Sequence, residues 1–467
     1  MDIQVKEMVQ VVNYNTCILP VDIFNAFNLS PEIMYNVHFG QLNQYAYILP
    51  GKTEENCMFF SKIVFKDLTL VEDITLNIKN IDKDIYLGPV VGIFVTQVFF
   101  NKISEGNRHF YSEQHIRGGF AENCFVYYFS LENINWAQKK IYGYTILPST
   151  GKGKKLWMPM PDILYDRAVG HSAEERPKAN QIRKQFRNGY HIQCINNRNS
   201  LGKWQLYKAL SKHPQVKKYI PETKRYTSSK DAVLMLKQYG FIFLKSFYGS
   251  CGKEVLSIEK EDNEFKLNFY DNGLKIMLFD DIAKVEDFIN NFIQGKRFIV
   301  QQGVRLLDFK GRKFDIRMLL QKDENGFWRS NLNACRIAKE KLNITNISAG
   351  GELATYEEIY PSLSVNEGKV PSRDELVDAA VSLAIYIEKE FGTHGEIGMD
   401  MAIDVYGNIW FIEANARPDK FLNPTIVDAF GGSWLKSLNS GYTDPEVIFP
   451  HATSIFKYAK FLFEKSL

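Results

Sequence analysis

Hydrophobic and polar positions change rhythm along this chain. Near the start, "ITLNIKNI" alternates, putting Ile74, Leu76 and Ile78 on one face. That is the period-2 pattern of a half-buried strand. "KIVFKDLTL" reads similarly, so residues 1–82 are expected to form a β-rich module. From "YLGPVVGIFVTQ" the alternation gives way to a continuous β-branched run, and "ENCFVYYFSL" is a second. Strands buried on both faces read this way, so residues 83–195 are expected to form a small α/β domain. "HSAEERPKANQIRKQFRN" is polar and suits a surface helix or linker.

A third region, residues 196–467, opens on a helical apolar face of Trp204, Tyr207, Leu210 and Val216, with Pro214 interrupting it. Its clearest helix is "SRDELVDAAVSLAIYIEKEFG". Ser372 and Glu375 make a capping box, Leu376, Ala380, Leu383 and Ile387 form the buried stripe, and Gly392 is the stop. The sequence as a whole predicts a multidomain α/β (α+β) protein.

Composition narrows the function classes. A formal charge of +3 over 467 residues gives no argument for a nucleic-acid or membrane-surface partner. The longest apolar run, "GPVVGIFVTQVFF", is too short to span a bilayer as a helix. Six scattered cysteines without a CxxC pair suit buried thiols in a reducing compartment. With no signal-peptide pattern at the start, a cytoplasmic location is expected.

Four segments carry candidate chemistry. "GMDMAIDVYGNIWFIEANARP" reads as a hairpin with Asp400 and Glu413 on its two strands and Asn415 two residues beyond Glu413. Residues i and i+2 of a strand share a face, so Glu413 and Asn415 point together while Ile412 and Ala414 point into the opposite layer. Antiparallel pairing brings Asp400 beside them, and three oxygen-bearing side chains suit a hard cation such as Mg²⁺. "GFIFLKSFYGSCGKEVLSI" delivers Lys245 at a strand end, followed by a loop with Gly249, Ser250 and Gly252. Such a loop lets amides wrap phosphates, with the lysine as a point charge. "RFIVQQGVRLLDFKGRKFDIRMLLQ" contains a strand ending in Gln301 and Gln302, then a strand with Asp315 and Arg317 on one face. "SNLNACRIAKEKLNITNISAGG" offers Arg336 and Asn346.

In this order the segments resemble the ATP-grasp superfamily. The Asp400, Glu413 and Asn415 spacing is similar to that of D-alanine–D-alanine ligases, and "FDIR" and "RSNL" resemble segments of RimK-like glutamate ligases. "YLGPVVGIFV", "PDILYDR", "KWQLYKALSKHPQVKKYIPET" and "TNISAGGE" extend the likeness over nearly the whole chain, to the YheC/YheD family of endospore coat-associated ATP-grasp proteins. Its glycine loop departs from the family pattern, with Ser246 for Pro, Lys253 for Arg and Glu254 for Gly.

The resemblance implies an ATP-grasp fold preceded by a pre-ATP-grasp α/β domain and the β-rich module. It implies ATP and one or two Mg²⁺ as cofactors, and spore-coat association. By similarity, Lys203, Lys245 and the loop of Gly249, Ser250 and Gly252 would contact phosphates. Gln301, Gln302 and Val304 would line the adenine site, and Asp315 would hold the ribose. Asp400, Glu413 and Asn415 would bind Mg²⁺, Arg336 would stabilise the transferring phosphoryl group, and Arg317 and Asn346 would complete the site. Arg417 and Lys420 would meet a carboxylate substrate. The implied reaction is carboxylate–amine ligation through an acyl phosphate, with a carboxylate and an amine as partners. The alternatives are a phosphotransferase and a coat protein without turnover.

Overall fold

The computed structural model describes residues 1–9, 14–53, 56–105, 110–247, 254–271, 273–338, 352–418 and 448–467. The chain divides into two compact units. The first is Met1–Asn197 with Lys322–Phe327 and Pro445–Leu467, and the second is Arg198–Gln321 with Trp328–Asp444.

In the first unit, β1 (Asp2–Glu7), β2 (Thr16–Pro20), β3 (Met34–Phe39), β4 (Leu42–Gly51), β5 (Cys57–Phe60), β6 (Thr75–Ile81) and β7 (Asp84–Gly88) close into a barrel, in the order β1-β5-β2-β4-β3-β7-β6. Ile74, Leu76 and Ile78 are buried, as the alternation predicts. "KIVFKDLTL" differs from expectation, because Lys62–Asp67 is a helix. Its buried residue Val64 and its C-cap Leu68, four residues apart, both pack against the barrel core.

A second sheet follows: β8 (Val90–Phe94), β9 (Phe125–Phe129), β10 (Ile134–Asn135), β11 (Lys140–Ile146), β12 (Gly153–Pro159), β13 (Ile163–Asp166) and β14 (Gln193–Cys194), in the order β10-β11-β9-β8-β13-β14 with β12 on β11. β8 lies parallel to both β9 and β13. Both faces of this centre are buried, which explains the unbroken apolar runs. Val91, Ile93 and Val126 pack with Ile455, Phe456 and Ala459 of the helix Pro450–Ser466. Val90, Phe94 and Phe125 join the barrel core.

The second unit holds two sheets. The first comprises β15 (Thr223–Arg225), β16 (Phe241–Ser246), β17 (Val255–Glu261), β18 (Glu264–Tyr270), β19 (Leu274–Phe279) and β20 (Phe298–Gln302), in the order β15-β20-β16-β17-β18-β19. Helices Ser229–Tyr239 and Ile282–Ile293 pack on one of its faces. The other comprises β21 (Asp308–Phe309), β22 (Arg312–Lys322), β23 (Trp328–Ile337), β24 (Glu352–Ala354), β25 (Glu396–Ile403) and β26 (Ile409–Asn415), in the order β24-β23-β22-β25-β26 with β21 on β22. Helix Arg373–Phe391 buries Leu376, Ala380, Leu383 and Ile387 against it. The Ser372–Glu375 capping box and the Gly392 stop are both present.

Candidate active site

The site forms within the second unit, where each of its two sheets presents a charged face. On β16, Ile242 and Leu244 enter the core beneath the helices, so Phe243 and Lys245 occupy the opposite face. Lys245 Nζ donates to Gln301 Oε1 at 2.7 Å and lies 5.0 Å from the Phe243 ring centroid. Gln301, paired with Phe243 across the strands, passes the contact on by donating to Thr223 Oγ1 at 2.9 Å. Burial, aided by the positive charge of Lys203 and opposed by Glu413, pulls the Lys245 ammonium down to about 8.

The other sheet supplies the acids. Its hairpin turn is tied by Asp404, whose carboxylate accepts from the Tyr406 and Asn408 amides and from Trp410 Nε1. That turn sets the register of β25 on β26, in which Asp400 faces Glu413 and Gly398 faces Asn415. β22 pairs on the far side, with Arg317 opposite Asp400. A bulge falls between Asp400 and Met401. It corrects the simple alternation, because Phe411 and Ala414 enter the core while Ile412 stays half-buried outside it. The Tyr207 hydroxyl donates to the Ile412 carbonyl and anchors the bulge.

Four charges interlock beside the hairpin. Arg317 Nε donates to Asp400 Oδ1 at 2.5 Å and its Nη2 to Oδ2 at 3.3 Å. Arg336 grips Asp315 with Nε and Nη2, at 2.6 and 2.7 Å, and Nη2 also reaches Asp400 Oδ2 at 2.8 Å. Burial alone would push the Asp400 carboxyl up, but Arg317 and Arg336 hold it below the usual carboxylate range. Burial likewise disfavours the Arg336 charge, yet Asp400 and Asp315 more than restore it. Two anions and two cations make this cluster neutral as a whole.

Glu413 and Asn415 lie outside that cluster. Asn415 Nδ2 donates to Glu413 Oε1 at 3.3 Å, and Lys203 Nζ is 3.9 Å from Glu413 Oε2. Both side chains are half-buried. No trio of His, Cys, Asp or Glu is arranged to hold a metal among the described residues. The Glu413 carboxylate and the Asn415 amide are adjacent, however, and suit Mg²⁺, which shares its coordination with water and phosphate oxygens; both Asp400 oxygens are already engaged by Arg317 and Arg336.

The geometry revises three expected roles. Gln301 is buried and both ends of its amide are engaged, so it positions Lys245 and does not line an open adenine site. Gln302 donates its amide to Glu222 and accepts from the Glu222 amide through Oε1, which fixes the strand end. Asp315 is buried with both oxygens on Arg336, so it orients a guanidinium and is poorly placed to hold a ribose. Val304 follows the strand end, half-buried. Arg417 donates to the Asn199 carbonyl at 3.0 Å. Gly249, Ser250, Gly252, Asn346 and Lys420 lie outside the described residues. Sequence reasoning gave no site role to Phe243 and read Tyr207 only as part of a helical apolar face. Phe243 was within reach, because it sits two residues before Lys245 on the same strand face.

The family described as YheC/D like ATP-grasp matches residues 191–430, just over half of the chain. The chain belongs to that family. ATP and Mg²⁺ are the usual cofactors of the ATP-grasp fold. Across the YheC/D-like proteins, the chain is 26% identical over 417 residues to the endospore coat-associated protein YheD of Bacillus subtilis (strain 168), covering 86% of this chain and 89% of that one. The endospore coat-associated protein YheC of the same strain is 21% identical over 268 residues, covering 56% and 72%. Among solved structures, a Chryseobacterium gregarium RiPP-associated ATP-grasp ligase, in complex with ADP and a leader and core peptide, is 14% identical with a TM-score of 0.42. That match covers 80% of this chain and 97% of the ligase. No described helix is long and apolar enough to cross a membrane.

Proposed function

We propose that this chain is an ATP- and Mg²⁺-dependent carboxylate–amine ligase acting on an amino acid, peptide or protein. The observation that carries the reading is the meeting of the two sheets. Lys203 and Lys245 both act electrostatically on one spot beside Glu413, next to the Asp400–Arg336 cluster. Both ammoniums bear on the place that a polyphosphate would occupy. Lys245, Lys203 and the Gly249–Gly252 loop would hold the phosphates, and the chain after Gln302, at Val304, would border the adenine. Glu413 and Asn415 would hold Mg²⁺, with Asp400 joining them only as an oxygen is released by a guanidinium, and the ion's contribution is charge neutralisation between two anions that must approach.

The protein's own groups account for the remaining needs. A substrate carboxylate oxygen attacks the γ-phosphorus, forming one O–P bond as the bond to the β-phosphate oxygen breaks and ADP leaves. Arg336 keeps Nη1 free of hydrogen bonds among the described residues, so it can donate to the transferring group. An amine nitrogen then attacks the acyl carbon, phosphate departs with the C–O electron pair, and the amine loses a proton. Arg317 holds Asp400 in place throughout. Exclusion of water protects the acyl phosphate from hydrolysis.

The test is ADP release with candidate amino acids and coat peptides, using a carboxylate carrying heavy oxygen. Ligation through an acyl phosphate moves one labelled oxygen into inorganic phosphate. Glu413→Gln should lower turnover roughly a hundredfold or more with an unchanged far-UV spectrum. Label that stays in the product as a stable phosphate ester or anhydride would favour the phosphotransferase. No ADP release and no Mg·ATP binding would leave the coat protein without turnover.

A further inference from the structure

A cavity of about 380 Å³ opens within the first unit, lined by residues including His38, Tyr86, Lys139, Asp162, His191 and Phe463. Its size falls in the range of small-molecule sites. The anchoring feature is Asp162. Its Oδ2 accepts from the Val90 amide at 2.8 Å, and Oδ1 has no hydrogen-bond partner among the described residues. Among the described residues no cationic side chain is hydrogen-bonded to the carboxylate, and Lys139 stands at the cavity rim. Burial, opposed only by the Val90 amide, pushes it up to about 7. An ionised carboxylate without a countercharge is costly in such a place, and a ligand cation would remove that cost.

The walls match a cation of this kind. Tyr86 and Phe463 contribute rings, and aromatic faces attract ammonium groups. His38 stacks on Tyr86 with centroids 4.5 Å apart and is held by Asp84 at 2.6 Å. Gly88 lets the wall close in, since a Cβ there would stand 3.2 Å from Asp162 Oδ2 and 3.5 Å from Phe463. Lys139 and His191 are exposed, so they form the rim, and both have left-handed backbone with φ of 51° and 54°. No trio of His, Cys, Asp or Glu among the described residues converges as a metal site would.

We propose that this cavity binds a free α-amino acid, its ammonium against Asp162 and its carboxylate against Lys139 and His191 at the rim. The site is built wholly from the first unit and does not rest on the ligase reading.

The experiment is calorimetric titration of the full chain, without nucleotide, with each standard L-amino acid at millimolar concentration. Any binder is then repeated as its N-acetyl derivative. Asp162→Asn keeps an acceptor for the Val90 amide and removes the charge. At least one amino acid should bind, with affinity falling about tenfold or more in Asp162→Asn and vanishing on acetylation. Lys139→Ala, an exposed change, should also weaken binding, and it decides the matter if Asp162→Asn does not fold. The proposal is overturned if no amino acid binds, if the acetylated form binds equally, or if the variant that folds keeps full affinity.

Discussion

Asp400 and Asp162 are acids of one residue type, the first buried and the second half-buried at a cavity wall, and their surroundings drive them in opposite directions. Asp400 receives two guanidiniums and is held ionised. Asp162 receives one backbone amide and is pushed up to about 7. The difference shows that burial does not decide the state of a carboxylate. The partners decide it, and a closed cluster and an open one serve different ends. The closed cluster fixes Arg336 and Asp400 before any ligand arrives. The open carboxylate keeps its pairing capacity for something that binds.

The largest effect is expected from breaking the closed cluster. Asp400→Asn leaves the Arg317 and Arg336 charges confronting a neutral amide, with only Asp315 to balance them. Removing one partner of a buried ion pair costs about 3–5 kcal/mol. Urea unfolding should show that loss, with ADP release abolished. A loss below about 1 kcal/mol would mean that the cluster is solvated in solution like a surface pair.

The open carboxylate makes a prediction of opposite sign. Asp162 has a folded-state value raised from 3.8 to about 7, so the native state retains a proton that the unfolded chain has lost. The stability contribution is intact below about pH 4, where both states are protonated, and is lost as pH rises toward 7. Asp162→Asn should therefore be more stable than the parent at pH 8, by an amount on the order of 2 kcal/mol. The advantage should shrink as pH falls to 4. Thermal melts of both proteins across that range measure it. Equal melting temperatures at pH 8 would show that Asp162 is already solvated.

The same contrast marks how far the sequence could be read. Local patterns were legible. The Ser372–Glu375 cap, the alternation at Ile74–Ile78 and the facing of Asp400 and Glu413 across a hairpin all follow from spacing within a short segment. Pairings between distant segments were not. Nothing near Arg336 indicates that Asp315 will engage both its Nε and Nη2, or that Gln301 will turn inward to Lys245, because each contact depends on how separate strands register. "KIVFKDLTL" misled for a related reason: a six-residue helix shows too little periodicity to separate i, i+4 from alternation. The bulge at Ile412 breaks the two-residue rule at the point where the metal-type oxygens are placed. The significance of Asp162 was equally hidden, since it lies in a missing neighbour and not in any motif.

A smaller effect separates the nucleotide side from both aspartates. Lys245 is held to about 8 by burial, with Lys203 adding to the shift and Glu413 opposing it. Binding a phosphate requires the charged ammonium, so the free protein must take up a proton before ATP binds once the pH exceeds 8. Nucleotide affinity should be nearly flat from pH 6.5 to about 7.5, halve near pH 8 and fall by about tenfold toward pH 9. Lys245→Arg should flatten that decline, because a guanidinium stays charged throughout. It should also bind somewhat more weakly at pH 7, since its planar fork does not reproduce the single contact to Gln301. Calorimetry with ATP at fixed Mg²⁺ reads both. If the arginine variant declines with pH as steeply as the parent, the titrating group lies elsewhere, and Lys245 is no more than a charge buried beside the site.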